Sequence, residues 1–491
     1  MKKIIAVVLS VLMVFTMGIS AFAAETDYAI SNPYADVDWE TYNAYKADLH
    51  SHTNASDGND TTKEMAERHY ELGFDIYAQS DHGTVNYSWT EANSYDPTIK
   101  LIMMIKEGKS AIEMLQANGT AANGNTYTVE TINGDDYYTQ AGGHTMMRVP
   151  FANEQNPTSL NNAHVNTWFV DYGHGRLGGT SDYASVISAV DELGGVSVIN
   201  HPGEYTNARD EVYTADAYNK DNSTYAYYID KFENILLAND SCLGIDINSK
   251  GDSRTRFDRK LWDTMLTDLA PAGRNVFAIA STDAHNLDIV DSGYVMAMMP
   301  ELTSDALKTA LTSGAFFAQS CYCGNYDELL AYSAGLLASD DAAAQALGAK
   351  MKAVTDLGID NKYRFEENAT CVTFNSISVD DAADTITLDT NDALYIRWIS
   401  DGKVVAEGNT IDLDECENVG SYVRAEIISE GAVTYTQAFL LEYDGMPEAD
   451  INDNFTDVDA SLLSFVDNIV RALGKMISMI AQPIIKALGV A

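Results

Sequence analysis

The chain has 491 residues, and 72 acidic side chains against 30 basic ones leave it with a formal net charge of −42. So large an excess favours solubility and disfavours nucleic acid, anionic membranes or phosphorylated molecules as partners of the bare surface, so any phosphate site must supply its own local positive charge. Five cysteines, Cys242, Cys321, Cys323, Cys371 and Cys416, are too few for a disulfide-built scaffold, although Cys371 and Cys416 could bridge.

Residues 1–24 read as a secretory signal peptide. Lys2 and Lys3 precede an apolar run over 4–17, and the small-residue sequence Ala21-Phe22-Ala23-Ala24 follows. The run is too short for a stable membrane anchor, so the chain is expected to be secreted or associated with the cell surface.

Next comes Ala47-Asp48-Leu49-His50-Ser51-His52-Thr53-Asn54-Ala55-Ser56-Asp57. Side chains two apart on extended backbone point the same way, so His50 and His52 can grip one cation. Asp57 lies beyond a turn at 54–56 and can come back toward that cation or serve a neighbour. From Thr61 a helix–strand unit repeats. Thr61-Thr62-Lys63-Glu64 has the form of a capping box, Met65, His69 and Leu72 follow at helical spacing, and Gly73 is the stop. A strand over 74–78 then runs into Ser80-Asp81-His82. The second unit has Val186, Val190 and Leu193 on a helix, a strand over Val196–Ile199, then Asn200-His201-Pro202. The third has Leu261, Met265 and Leu269, a strand over 276–280, then Ser281-Thr282-Asp283-Ala284-His285. Each strand ends in a histidine. Alternating helices and strands build parallel sheets or barrels whose strand ends share one rim, where loops carry the chemistry. His50, His52, His82, His201, Asp283 and His285 should therefore converge.

These motifs, taken in order, resemble the PHP family, the polymerase and histidinol phosphatase metallophosphoesterases. The similarity covers roughly residues 40–320 and rests on Asp48-Leu49-His50-Ser51-His52-Thr53 with Ser56-Asp57-Gly58, Ser80-Asp81-His82, Asn200-His201-Pro202 and Ser281-Thr282-Asp283-Ala284-His285. It implies an α/β fold, a distorted (β/α)7 barrel over 40–325, with two or three divalent metal ions at the carboxyl ends of its strands. The family pattern also asks for a bridging glutamate and a histidine beyond it. Glu154, after 146–153, and His164 are the choices, with Glu107 the rival for the bridge. By this resemblance His50, His52, Glu154 and Asp283 hold one ion, Glu154, His164 and His201 a second, and Asp57, His82 and His285 a third. Zinc, manganese or iron would suit such ligands.

The resemblance implies hydrolysis of a phosphate ester by a metal-bridging hydroxide. Glu154 and Asp283 are the catalytic carboxylates, and Arg148, Arg209, Lys250, Arg254 and Arg256 are candidates to clamp the phosphoryl group. Three divalent ions against Asp57, Glu154 and Asp283 would leave the pocket about three charges positive, welcoming a small phosphorylated substrate that the acidic surface would otherwise repel. An amidohydrolase-type metal hydrolase is the alternative enzyme. Its usual metal-bridging lysine has no evident counterpart at a strand end. A non-catalytic secreted binding protein with structural metals is the alternative of another class.

An insert over 87–143, rich in Asn, Gly, Thr and Tyr with a helical pattern over 103–115, reads as a lid or as decoration. Residues 326–370 form a helical linker. Alternating apolar runs with an Asp401-Gly402 turn predict an antiparallel β-sandwich over 371–445. Residues 459–491 form an amphipathic helical tail in which Leu462, Val466, Ile469, Leu473, Met476 and Ile480 make a wide stripe ending before Pro483. Docking on the protein, self-association or lying in a membrane surface would each use it.

Overall fold

Apolar segments of four to nine residues, set between amphipathic helices, build the interior of the molecule. The computed structural model describes residues 26–457 except 98, 102–103, 105–107, 109–110, 156–162, 176–182, 207 and 209–215, together with 473, 476, 477, 479, 480 and 483. The leader over 1–24, Glu107, Arg209 and most of the tail over 459–491 lie outside the described residues. Of the tail, Leu473, Met476, Ile477, Met479 and Ile480 are helical and exposed.

Strands β1 (Asn43–Ser51), β2 (Ile76–Gln79) and β3 (Thr145–Arg148) lie side by side and parallel. A second sheet holds β4 (Asn153–Gln155), β5 (Val165–Trp168), β6 (Val196–Ile199), β7 (Cys242–Asn248) and β8 (Phe277–Ala280), the last three parallel to one another. Strands β9 (Gly293–Met299) and β10 (Phe316–Ser320) continue the first sheet beyond β1 in antiparallel fashion. Residues of β6, β7 and β8 are buried throughout, as parallel strands covered on both faces are, and only β8 reads as a continuous apolar run.

Leu49, Ile76 and Met147 of one sheet pack with Trp168, Val198, Leu243 and Ile279 of the other in a single buried cluster, so the two sheets face each other across one core. Outside the second sheet, helices α2 (Tyr183–Glu192), α3 (Ser223–Ala238) and α4 (Asp258–Leu269) bury Val186, Val190, Phe232, Leu261 and Met265 against Ile199, Ile245 and Ala278. Helix α1 (Thr62–Glu71) starts at Thr61 with the expected capping box, and Gly73 after it adopts a positive φ.

The expected alternation of strands and helices is present, but the expected (β/α)7 barrel differs in one respect. Among the described residues neither sheet closes by continuous pairing. Between β3 and β4 the chain turns at Pro150, which has no N–H to give, and at Phe151, whose φ is +56°, and it crosses from one sheet to the other. What joins the sheets is a pair of isolated parallel bridges, Ser51 with Ala284 and His82 with Glu154. Both lie at carboxyl ends of strands, beside the predicted ligands.

The insert is not irregular. Strands Asp135–Gln140, Thr126–Ile132 and Asn118–Thr120 extend the first sheet beyond β3, with Asn133 and Gly134 at positive φ forming the turn between the two longer ones. Of the helix expected over 103–115, residues 111–115 are irregular. Helices Tyr326–Ala338 and Ala342–Thr355 start at Asn325 and Asp341, whose side chains accept backbone N–H groups. Over 371–445 the chain is antiparallel. Thr373–Asp380, Thr385–Asn391 and Thr410–Asp412 form a three-stranded sheet, and the Asp401-Gly402 turn joins Tyr395–Ser400 to Lys403–Glu407. Tyr422–Ile428 and Val433–Tyr435 are continuous with the first sheet through β10, and Phe439–Glu442 pairs with the N-terminal Ala29–Ser31. All five cysteines are free thiols, Cys371 and Cys416 included.

Candidate metal centre

At one rim of these strands, mostly at their carboxyl ends and with His164 just before β5, the nine expected ligands meet around Glu154, Asp283 and Asp57. Backbone pairing puts it there. Glu154 N–H donates to Ser80 O at 3.0 Å, and its carbonyl accepts from Gly83 N–H at 2.9 Å, so β4 is held against the loop that carries His82. One carboxylate oxygen, Oε2, lies 3.5 Å from His50 Nε2, 3.4 Å from His52 Nε2 and 3.0 Å from His82 Nδ1. The other, Oε1, lies 2.9 Å from His164 Nδ1 and 3.4 Å from His201 Nε2. Asp283 closes the opposite side. Its Oδ1 is 3.5 Å from His50 Nε2, 3.1 Å from His52 Nε2 and 3.5 Å from His285 Nδ1, and its Oδ2 is 3.6 Å from His201 Nε2. Asp57 Oδ1 stands 3.7 Å from His52 Nδ1, while its Oδ2 lies 3.6 Å from His82 Nε2 and 3.2 Å from His285 Nε2.

Two ligands about 2.0–2.1 Å from one tetrahedral ion sit roughly 3.3 Å apart, which is the spacing found here. His50 Nε2 and His52 Nε2 are themselves 3.2 Å apart, both aimed at the same point. Glu154 Oε2 and Asp283 Oδ1 are buried without a hydrogen-bond donor of their own, whereas Asp283 Oδ2 has the Lys250 ammonium at 3.0 Å. Buried carboxylate oxygens demand a cation or donors, and a divalent ion among these imidazoles meets that demand.

Four groupings offer ligand atoms to a common point. They are His50, His52 and Asp283; His50, Glu154 and His201; His82, Glu154 and His164; and His52, Asp57, His82 and His285. The expected sets are therefore regrouped in two places. His201 joins His50 while still sharing Glu154 Oε1 with His164, and His82 serves both Glu154 and Asp57. The cause is the backbone bridge of His82 with Glu154, which leaves one ring nitrogen toward each carboxylate.

Charge in the cluster is tightly coupled. Burial opposes ionisation of Glu154 and Asp283, yet neighbouring imidazoles, with Lys250 beside Asp283, hold both carboxyls well below the usual range. Burial also opposes the imidazolium of His50, but Asp283 and Glu154 carry it up to about 10, whereas burial prevails at His164 and holds it down to about 4. Protons and divalent cations answer the same demand of these carboxylates, so metal binding must displace protons.

A layer of buried and partly buried side chains outside the four groupings fixes the ligands. Asp48 accepts from the N–H of His50 at 3.1 Å and from Thr282 Oγ1 at 2.5 Å, and its Oδ2 lies 2.8 Å from His69 Nε2. His69 is thereby a packing residue on α1, outside the cluster. Asp81 accepts from Thr53 N–H at 2.8 Å and Ser56 Oγ at 2.6 Å, Asn200 Nδ2 donates to Glu154 Oε1 at 2.7 Å, and Tyr205 OH lies 2.8 Å from His164 Nε2. Asp246, on β7 with Oδ2 3.9 Å from His50 Nδ1, and Tyr205 went unread in the sequence, because each is one ordinary residue in an ordinary segment. Two ligands sit at strained backbone, His201 at φ +26° and Asp283 at φ +43°.

The five basic clamp candidates fare differently. Arg148 is corrected: it is buried, with Nε on Asp136 at 2.8 Å and NH1 on the carbonyl of Asn86, so it braces the insert strands. Arg256 is buried against Phe257 with NH1 on the carbonyl of Ile359, and Arg254 is paired with Glu204. Lys250 reaches the cluster, with Nζ 3.0 Å from Asp283 Oδ2. His144 stacks on Tyr70, and His174 accepts from the N–H of Val85.

No protein-family model and no curated protein matches the chain. Among solved structures it is similar to a Bacteroides vulgatus two-domain protein described as containing a predicted PHP-like metal-dependent phosphoesterase. The identity is 13% over 85% of this chain and 95% of that one, with a TM-score of 0.33. It is also similar to PsfC from Pseudomonas syringae, at 14% identity over 55% and 88% with a TM-score of 0.30. A third is the lesion-specific endonuclease PfuEndoQ from Pyrococcus furiosus, at 12% over 55% and 56% with a TM-score of 0.29.

Proposed function

We propose that this is a secreted metal-dependent hydrolase of phosphate esters. The observation that carries the reading is Glu154, a buried carboxylate with five imidazoles within 2.9–3.5 Å of its two oxygens and a second carboxylate, Asp283, facing three of the same rings, His50, His52 and His201. His50, His52 and Asp283, with Glu154 between them and His82, His164 and His201, would hold adjacent divalent ions. His52, Asp57, His82 and His285 would hold another. Such ions, when bound, supply Lewis acidity toward a phosphoryl oxygen and lower the pKa of water.

The chain's own residues prepare the rest. Asn200 and Tyr205 hold Glu154 and His164 in place, and Asp48 and Asp81 hold the loops that carry the remaining ligands. Lys250, on a loop at φ +47° with its ammonium on Asp283, would contact a non-bridging phosphoryl oxygen. Three divalent ions against Asp57, Glu154 and Asp283 would leave about three positive charges, and Lys250 adds one more, so an anionic ester is favoured over a neutral amide.

The test is a screen of the metal-loaded chain against nucleotides, sugar phosphates, inositol phosphates and generic phosphodiesters, with neutral amides and lactones alongside. Hydrolysis of a phosphate ester that Glu154→Gln lowers by at least about a hundredfold supports the reading. Parental turnover in that variant, or in His52→Ala combined with Asp283→Ala, rejects it.

A further inference from the structure

Asp57 is the ligand least secured by regular structure. Glu154 lies in a strand and Asp283 lies three residues beyond one, with its N–H on the carbonyl of His50, whereas Asp57 sits on a turn and is partly open to solvent. Something else must hold that turn if its carboxylate is to stay on His52, His82 and His285.

Asp81 holds one flank, through Thr53 and Ser56. Between Thr53 and Ser56 lies Asn54, and three of its four polar groups are taken by the insert. Tyr95 OH donates to its Oδ1 at 2.8 Å, its Nδ2 donates to Ala111 O at 2.6 Å, and Lys100 Nζ donates to its backbone carbonyl at 2.8 Å. Its N–H goes to Asp60 O at 2.8 Å. Lys100 also donates to Ala111 O at 3.2 Å, lies 5.1 Å from the centroid of the Tyr95 ring, and is 1% exposed. Burying an ammonium is costly, and two backbone carbonyls are a specific reason for this one. Within the same turn a Cβ on Gly58 would lie 2.7 Å from the backbone of His52, so the turn is pressed onto the strand end that carries a second ligand of the site.

We infer that the insert is a buttress: Tyr95, Lys100 and Ala111 lock Asn54 and thereby set the cation affinity of the site formed by His52, Asp57, His82 and His285. They are positioning residues and touch no ligand atom. The inference rests on the metal reading above and concerns only the site that contains Asp57.

The experiment is metal analysis and chelator-competition titration of the full chain with Mn²⁺. The comparison set is the parent, Asp57→Asn, Tyr95→Phe, Lys100→Met and the double variant Lys100→Met with Asp57→Asn. The parent is expected to bind Mn²⁺ in at least two affinity classes, and Asp57→Asn to lose one of them. Tyr95→Phe, which removes a single hydroxyl and should fold as the parent does, and Lys100→Met should weaken that same class by roughly tenfold or more. The double variant should match Asp57→Asn alone. Parental affinity in both single variants, or equal weakening of every class, overturns the inference while leaving the functional reading intact. A parent that binds no divalent ion overturns both.

Discussion

Asp48 offers no ligand atom to the cluster, yet it joins the end of β1 to the loop at 282 and so aligns His50 with Asp283. Asp48→Asn keeps the size of the side chain but turns acceptors toward the N–H of His50 and the hydroxyl of Thr282 into a mixed amide. Affinity for divalent cations should fall about 10–100-fold, read by chelator competition, with the circular dichroism spectrum unchanged. A second residue makes a prediction about pH. Glu233, buried on α3, is pushed up to about 10 by burial first and by neighbouring Asp268 next. A carboxyl whose folded pKa is raised holds its proton more tightly in the folded state. Its contribution is complete below the ordinary value near 4.5 and is lost as pH rises toward 10. Glu233→Gln should therefore flatten the fall of Tm between pH 6 and 9, and an unaltered slope in thermal melts would contradict this. The residues that hold charge were also the most legible ones. Six of the nine ligands, His50, His52, His82, His201, Asp283 and His285, sit in short motifs at strand ends and read as converging from the helix–strand repeat, whereas Asp57 read only as able to return from a turn and Glu154 and His164 came from the family resemblance. Arg148 was misread because an arginine near a strand end looks the same in sequence whether it faces the site or, as here, Asp136.

Among the elements, the loop after β7 shows how the fold places a cation. Lys250, Asp252 and Arg254 all have positive φ, and Asp252 pins the loop through Arg259, Thr255 and the N–H of Gly324. Lys250 thus arrives at Asp283 on strained backbone, while Arg254 is neutralised by Glu204. Lys250→Met should lower kcat/KM for a phosphate ester by about tenfold or more and Arg254→Met by much less, in steady-state assays of the metal-loaded chain. The reverse ranking would move the phosphoryl contact to Arg254. Elements with local signals were readable: the capping box at Thr61, the stop at Gly73 and the Asp401-Gly402 turn all appear where the sequence puts them. The strands of the insert were missed although Asn133-Gly134 is a strong hairpin signal, because the flanking tyrosine- and threonine-rich segments lack a clean apolar alternation.

At the scale of the whole molecule, the part that carries the ligand cluster and the residues after 371 are joined by pairing and by buried charge. β10 pairs with Val433–Tyr435, Arg424 binds Asp263 through two contacts of 2.7 Å, and Arg397 and Tyr332 converge on Glu426. Removing one partner of such a pair leaves a buried charge, so Asp263→Ala should cost about 3–5 kcal/mol in denaturant unfolding. Trp262 and Trp398 lie on the two sides of this junction, and the continuous sheet predicts that both report one coincident transition. None of this was legible in the sequence, since pairing of Ala29–Ser31 with Phe439–Glu442 spans nearly the whole chain and leaves no local mark. What was legible is the convergence of the ligands, and the account depends on it. Its most direct test is a crystal structure of the chain grown with Mn²⁺, with anomalous scattering measured at the manganese edge. Peaks bonded to Glu154 and Asp283, with His50 and His52 beside them, are the predicted result. No peak within bonding distance of Glu154 would contradict it.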